Sequence, residues 1–275
     1  MTYHTDKKKL LREYFSNTYK GVIKNNEIDN VMSYQLDKNR SYEYLDMIES
    51  NIDKKSKILD FGSGFGEFII LLNKMNFNAF GVENCKKSFD ISLLSWREQF
   101  KRKPRFFYCN SSLPFKDDSF DIITLWNVVE HIENLDFYLK EIKRVLKKGG
   151  KIFILAPNYF SFRKEAHYHV PWIPYLSKKL SLKYLMLIGK NPRFFDKNIF
   201  PITKIGLIKK INELSLLIEI PFLSKLDNPS KIGRYWLQQI IKICKKLQLY
   251  NLLIYLVKFR FYWPFSKNIF IIVRK

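Results

Sequence analysis

Four groups of residues in this 275-residue chain have the types and spacing to do chemistry. The first is Asp60-Phe61-Gly62-Ser63-Gly64-Phe65-Gly66, where glycines at alternate positions let backbone amides approach a ligand and allow φ values that other residues resist. Its spacing is DxGxGxG and no Gly-Lys-Ser/Thr follows, which disfavours a phosphate-cradling P-loop. The second is Glu83, 17 residues past Gly66, where a carboxylate can accept hydrogen bonds from both hydroxyls of a ribose. The third is Glu130-His131, closing the run Asn127-Val128-Val129-Glu130-His131. The fourth is His167-Tyr168-His169-Val170-Pro171-Trp172, whose imidazoles can take a proton from an attacking hydroxyl near neutral pH or simply pack with Trp172.

These groups need elements to position them, and the apolar pattern supplies the elements. KILDF (57–61) reads as a short buried strand leading straight into the glycines. A helix (67–75), strand NAFGVE (78–83), helix (86–101), strand RFFYC (105–109) and strand FDIITLW (120–126) follow. A helix over 135–146 is expected to end in the C-cap chemistry of Lys147-Lys148-Gly149-Gly150, before strand KIFILA (151–156). Strands alternating with helices predict a parallel sheet covered on both faces. The histidines at 167 and 169 then fall just after the fifth strand, at the carboxyl ends where open α/β sheets bind ligands. After Asn158 the rhythm stops, and Pro171, Pro174 and Pro192 punctuate an aromatic, basic stretch. A helix (203–214), strand LLIEIPF (216–222), a basic apolar helical region (231–261) and a last strand NIFIIVR (268–274) complete the chain. The expected organisation is an N-terminal helical flap over 1–40, a cofactor-binding core over 41–160, a substrate cap over 161–200, and completion of the core over 201–275 with a basic helical insertion at 223–267.

Composition bounds the class. With 47% hydrophobic and 16% aromatic residues the chain can build a sizeable core, which excludes disordered and fibrous readings. Cys85, Cys109 and Cys244 are far apart and lack CxxC spacing, against both a disulfide framework and a zinc site. No apolar region follows Lys7-Lys8-Lys9 and no run reaches the roughly 18 apolar residues of a membrane span, so a cytoplasmic location is expected. The net charge of +22 is uneven, at +5 over residues 1–160 and +17 over residues 161–275. That surplus is either a solvated surface or a face for an anionic partner: phospholipid headgroups, a phosphorylated substrate or nucleic acid. In the 231–261 region Trp236, Ile240, Ile243 and Leu247 recur near helical spacing beside Arg234, Lys242, Lys245 and Lys246. A basic amphipathic helix of that kind can lie in a headgroup layer at the inner face of a membrane, or turn its apolar side to the core.

ILDFGSGFGEF (58–68), GVE (81–83), LPFKDDSFDII (113–123), NVVEHI (127–132) and RVLKKGGKIFILAPN (144–158) together resemble the class I S-adenosylmethionine-dependent methyltransferases, most of all the branch acting on quinones, sugars and other small acceptors. The resemblance implies a Rossmann-like, mostly parallel seven-stranded sheet and S-adenosylmethionine as cofactor. It implies that the loop carrying Asp60, Gly62, Ser63, Gly64 and Gly66 cradles the methionine part, with Asp60 holding its ammonium group, and that Glu83 takes the ribose. The family's acid for the adenine amino group is missing, so Asn110 beside Ser111 is the expected substitute, and Asn127 is expected to face the methionine end. An ExxEH run in some relatives binds a divalent metal; here the first acid is absent, and a Glu, Asn and two His suit a hard cation poorly. No metal is therefore expected, and His131, His167 and His169 are the candidate bases. The implied reaction is direct in-line methyl transfer to a small-molecule, sugar or lipid-linked glycan acceptor. The alternative is an RNA methyltransferase using the basic C-terminal part, although no RNA-binding module is recognisable.

Overall fold

The computed structural model describes residues 2–23, 25–220, 223, 226 and 235–275. Seven strands form one sheet: β1 (Lys57–Phe61), β2 (Asn78–Glu83), β3 (Phe106–Tyr108), β4 (Phe120–Trp126), β5 (Leu146–Pro157), β8 (Leu217–Glu219) and β9 (Asn268–Arg274), in the order β3-β2-β1-β4-β5-β9-β8. Strands β1 to β5 run parallel, and β9 lies antiparallel between β5 and β8. β6 (Arg163–Lys164) and β7 (Pro171–Trp172) pair as a separate two-residue ribbon in the 161–200 segment, called the cap for its expected place.

Side chains alternate across a strand, so neighbouring residues serve opposite faces of the sheet. Leu59, Ile123 and Ile154 pack with Leu139 and Ile142 of α6 (Leu135–Val145) and with Leu207 and Ile211 of α9 (Lys204–Glu213). Their neighbours Ile58, Ile122 and Phe153 pack on the other face with α3 (Lys38–Ile48), α4 (Glu67–Lys74) and α5 (Lys86–Gln99), through Ile48, Leu72 and Trp96. Each of these side chains is almost fully removed from water, worth roughly 1.5–3 kcal/mol apiece before the entropy of ordering is charged against it. This two-sided burial holds the carboxyl ends of β1, β2 and β4 in fixed relation.

A third cluster joins the N-terminus to the cap. Leu11 and Phe15 of α1 (Thr2–Thr18) are buried with Tyr168, Trp172 and Phe195, the last from α8 (Arg193–Asn198). Tyr14 meets Phe65 edge-on and Phe15 also contacts it, so α1 lies against the glycine loop.

Two expectations need correction. Lys147-Lys148-Gly149-Gly150 is not a helix cap: α6 ends at Val145 and β5 begins at once with Leu146. Gly149 has φ 76° where the pairing of β4 with β5 shifts register, and a side chain at Gly150 would meet the Asp121 carbonyl at 2.9 Å, so the glycines serve a strand irregularity. Strand β8 is confined to Leu217–Glu219, and Pro221-Phe222 of the expected strand lie outside the described residues. The expected helical region over 231–261 consists of two helices, α10 (Tyr235–Lys246) and α11 (Tyr250–Tyr262); residues 231–234, Arg234 included, lie outside the described residues.

Candidate active site

The turn from β1 into α4 carries Gly62, Gly64 and Gly66, all with positive φ (77°, 53° and 87°). What a side chain would meet separates the three. At Gly62 it would drive into Val128, and at Gly66 its Cβ would lie 2.5 Å from the Phe106 ring, so these two are glycines because the protein itself is in the way. At Gly64 no atom lies within 4 Å, so the chain there borders open space. The loop amides are engaged internally: Gly62 and Ser63 donate to the Val82 carbonyl, Gly66 to the Ser63 carbonyl, and Gly64 to Glu83 Oε2 at 2.8 Å. The loop therefore offers close approach rather than free donors. Ser63 Oγ is buried and without a hydrogen-bond partner.

Glu83, at the end of β2, is the hub. Its Oε2 accepts from Gly64 and its Oε1 from the Cys85 amide at 2.8 Å, which fixes the carboxylate and leaves acceptor capacity on each oxygen. Burial pushes its pKa up against the lowering by these backbone donors. Asp60 is buried one strand away and accepts from Thr124 Oγ1 at 2.7 Å; burial first, with the nearby Glu83 charge, raises it to about 7. Asn127, just past β4, has φ 53° and donates through its amide to Tyr44 Oη, which Arg40 also reaches. Tyr44 in turn stacks on Trp126 at 4.7 Å, so α3 holds the end of β4 from behind.

A cavity of about 360 Å³ opens beside this loop. Its lining includes Gly62 and Glu83, Asn84, Cys109 and Leu113, and, from more distant parts of the chain, His131, Lys197 and Phe200. The expected adenine contacts Asn110 and Ser111 do not line it: the chain turns outward after β3, leaving both exposed. Asn84 and Cys109 stand there instead, a signal that was legible only as the residues bordering Glu83 and β3.

The three candidate histidines separate clearly. His131 lines the cavity, and its Nδ1 is 2.7 Å from the Asn198 carbonyl, which can only accept; Nδ1 therefore carries the hydrogen and Nε2 is the basic nitrogen. Burial, then the neighbouring His167, lower its pKa to about 4, so the ring is neutral at ordinary pH. His167 packs edge-on against it with ring centroids 5.1 Å apart. His169 is not part of this group: it is exposed, with φ 56°, in the turn between β6 and β7.

Sequence reasoning missed Glu165. It is completely buried, and its Oε1 meets His167 Nδ1 and Tyr159 Oη, each at 3.0 Å, while Oε2 accepts from the amides of His167 and Tyr168. Against the opposing cost of burial, the hydrogen bonds from His167 and these amides hold its carboxyl down at about 2. The available signal was an acid two residues before a histidine in a segment, 161–200, with only one other acid, Asp196. Glu130 is the opposite case: buried, Oε2 without a partner, and raised by burial to about 7. Among the described residues, no three His, Cys, Asp or Glu side chains converge to hold a metal ion.

Comparison with known proteins agrees with this architecture. A family model described as a methyltransferase domain matches residues 36–197. An uncharacterized protein of Methanocaldococcus jannaschii is 32% identical over 178 residues, 62% of this chain and 74% of that protein. The ubiquinone biosynthesis O-methyltransferase of Pelagibacter ubique is 27% identical over 168 residues, 53% of this chain and 69% of that enzyme. Among solved structures, an S-adenosylmethionine dependent methyltransferase from Mesorhizobium loti shares the fold at TM-score 0.50 and 12% identity, covering 87% of this chain and 100% of that one.

Proposed function

This chain belongs to the family of S-adenosylmethionine-dependent methyltransferases, and from that premise we propose that it methylates a hydroxyl oxygen of a small acceptor, a sugar or a lipid-linked glycan. The cofactor, when bound, supplies a methyl group on a positively charged sulfur that a nucleophile can displace in line. The residues fit such a group. Open space at Gly64 admits it, the carboxylate of Glu83 has acceptor sites left for two ribose hydroxyls, and Asp60 is a buried carboxyl suited to an ammonium partner.

The observation that carries the choice of a hydroxyl is the neutral Nε2 of His131 in the same cavity as Glu83. A hydroxyl must lose its proton as it attacks, and a neutral imidazole can accept it. Glu165 bonds to His167 Nδ1 and so holds the His167 ring edge-on against His131, which fixes the orientation of the His131 imidazole. His131 is thus the catalytic base, while His167 and Glu165 are positioning residues. The quinone-biosynthesis relatives support a small acceptor, and a lipid-linked one would bring the chain to a membrane surface.

Labelled S-adenosylmethionine tests this with pools of lipid-linked sugars, isoprenoid quinones and RNA, the labelled product being identified by mass spectrometry. An O-methylated small acceptor is expected, with His131→Ala cutting kcat about 100-fold or more while cofactor affinity stays within twofold. Label found only in RNA, or full turnover in His131→Ala, overturns the reading.

A further inference from the structure

Among the described residues, half of the exposed large apolar side chains fall between Tyr235 and Phe265. Each helix of this hairpin has two apolar faces. One turns inward through Leu237, Ile241, Leu253 and Val257, joined by the buried Phe261. The other faces out: Trp236, Ile240, Ile243 and Leu247 on α10, and Leu252, Tyr255, Leu256 and Phe259 on α11, all 42–63% exposed. Both outward sets recur at three- and four-residue spacing, which is one stripe of a helix. Monomeric proteins rarely leave so many large apolar side chains of one helical hairpin to water.

Charge identifies the occupant. From Tyr235 to the end of the sequence given there are eight Lys and Arg and no Asp or Glu. At 100° per residue Lys246 borders the α10 stripe, with Lys242 and Lys245 farther round the helix, while Lys258 and Arg260 border that of α11. We propose that the outward face of the α10–α11 hairpin docks on an anionic lipid bilayer, its aromatic and aliphatic side chains entering the headgroup boundary and its cations meeting lipid phosphates. Helices of 12 and 13 residues are about 18–20 Å long, too short to cross a hydrocarbon core of about 30 Å, so the hairpin lies along the surface. A second copy of the same face would set these cations against each other, and RNA would leave Ile240, Leu247 and Leu252 without partners. The location is apt: Lys267 and Ser266, just beyond α11, bond to Asn158 at the carboxyl end of β5, the edge of the sheet that carries the site.

This inference rests on the lipid-linked reading of the acceptor only for its purpose, because vesicle binding is measured with neither cofactor nor acceptor present. The experiment is co-sedimentation of the full chain with phosphatidylcholine vesicles, with and without about one quarter phosphatidylglycerol. Binding is expected only to the anionic vesicles, weakened by salt. Lys246→Gln, Lys258→Gln and Arg260→Gln together should lower it about 100-fold, at roughly fivefold for each charge removed. Trp236→Ser with Tyr255→Ser and Phe259→Ser should lower it at least tenfold, while cofactor binding by calorimetry shows that both variants are folded. No binding by the parent chain overturns the proposal, as does binding that survives both variants. So does an apolar variant whose only change is loss of a dimer, or a chain that binds RNA but not vesicles.

Discussion

Cofactor binding should release a proton from Asp60, in an amount that pH sets. In the free chain this carboxyl has only the Thr124 hydroxyl as donor, and burial raises it to about 7. At pH 7 about half the chains carry the proton, and at pH 6 about nine in ten. An ammonium within about 4–6 Å lowers a carboxyl by about 1–3 units, and for a lowering of about 3 units the bound chain is ionised at both pH values. Binding should then release about half a proton at pH 7 and about 0.9 at pH 6, and affinity should fall nearly tenfold per pH unit below 7. The effect on folding has the opposite sign. A raised carboxyl stabilises the free chain below its unfolded value and loses that contribution as pH rises through about 7, so the cofactor offsets a strain that is greatest above neutrality. Calorimetry at pH 6 in two buffers of different ionisation enthalpy gives the proton count, and Asp60→Asn should abolish it. Equal heats in the two buffers, or unchanged release in Asp60→Asn, would refute the assignment of Asp60 to the ammonium.

Other substitutions separate shape from charge. Gly64→Ala puts a Cβ into empty space at φ 53°, so it should cost about 1–2 kcal/mol of stability yet weaken S-adenosylmethionine binding at least tenfold. Gly66→Ala, whose Cβ would lie 2.5 Å from Phe106, should instead destabilise the fold by more than that; denaturant titration and calorimetry read both effects. Glu130 has a folded pKa of about 7 against an unfolded value near 4.3, so its contribution is present in acid and lost as pH rises through 7; Glu130→Gln should flatten that decline in melting temperature. His131 has the reverse sign, with a folded pKa of about 4 below an unfolded one near 6.5, so its contribution is lost as pH falls from 6.5 to 4 and His131→Gln should soften that acid decline.

Much of this was legible in the sequence, for identifiable reasons. Parallel strands buried on both faces appear as short apolar runs, so KILDF, NAFGVE and FDIITLW marked β1, β2 and β4 within a residue or two. Glu83 was legible because it stands at a strand end beside a glycine turn. What was not legible depends on contacts distant in sequence. His131 and His167 touch because the cap folds back over the turn after β4, an arrangement that no local pattern encodes, whereas His169 is adjacent in sequence but turned to solvent. Asn110 was expected from its place after β3, but the chain bends outward there and Cys109 lines the cavity. The Lys-Lys-Gly-Gly run resembled a helix stop since glycine serves both a C-cap and a strand irregularity, and only the register of β4 against β5 decides between them.

The cofactor is expected to lie between the glycine loop and Asn84, Cys109 and Leu113. A crystal structure with S-adenosylhomocysteine, the demethylated product, tests that most directly. The predicted result is both ribose hydroxyls on the Glu83 carboxylate, the chain passing over Gly64, the amino group at Asp60, and the sulfur turned toward the side of the cavity that His131 lines. Density in another cavity, or a ribose that does not touch Glu83, would contradict it.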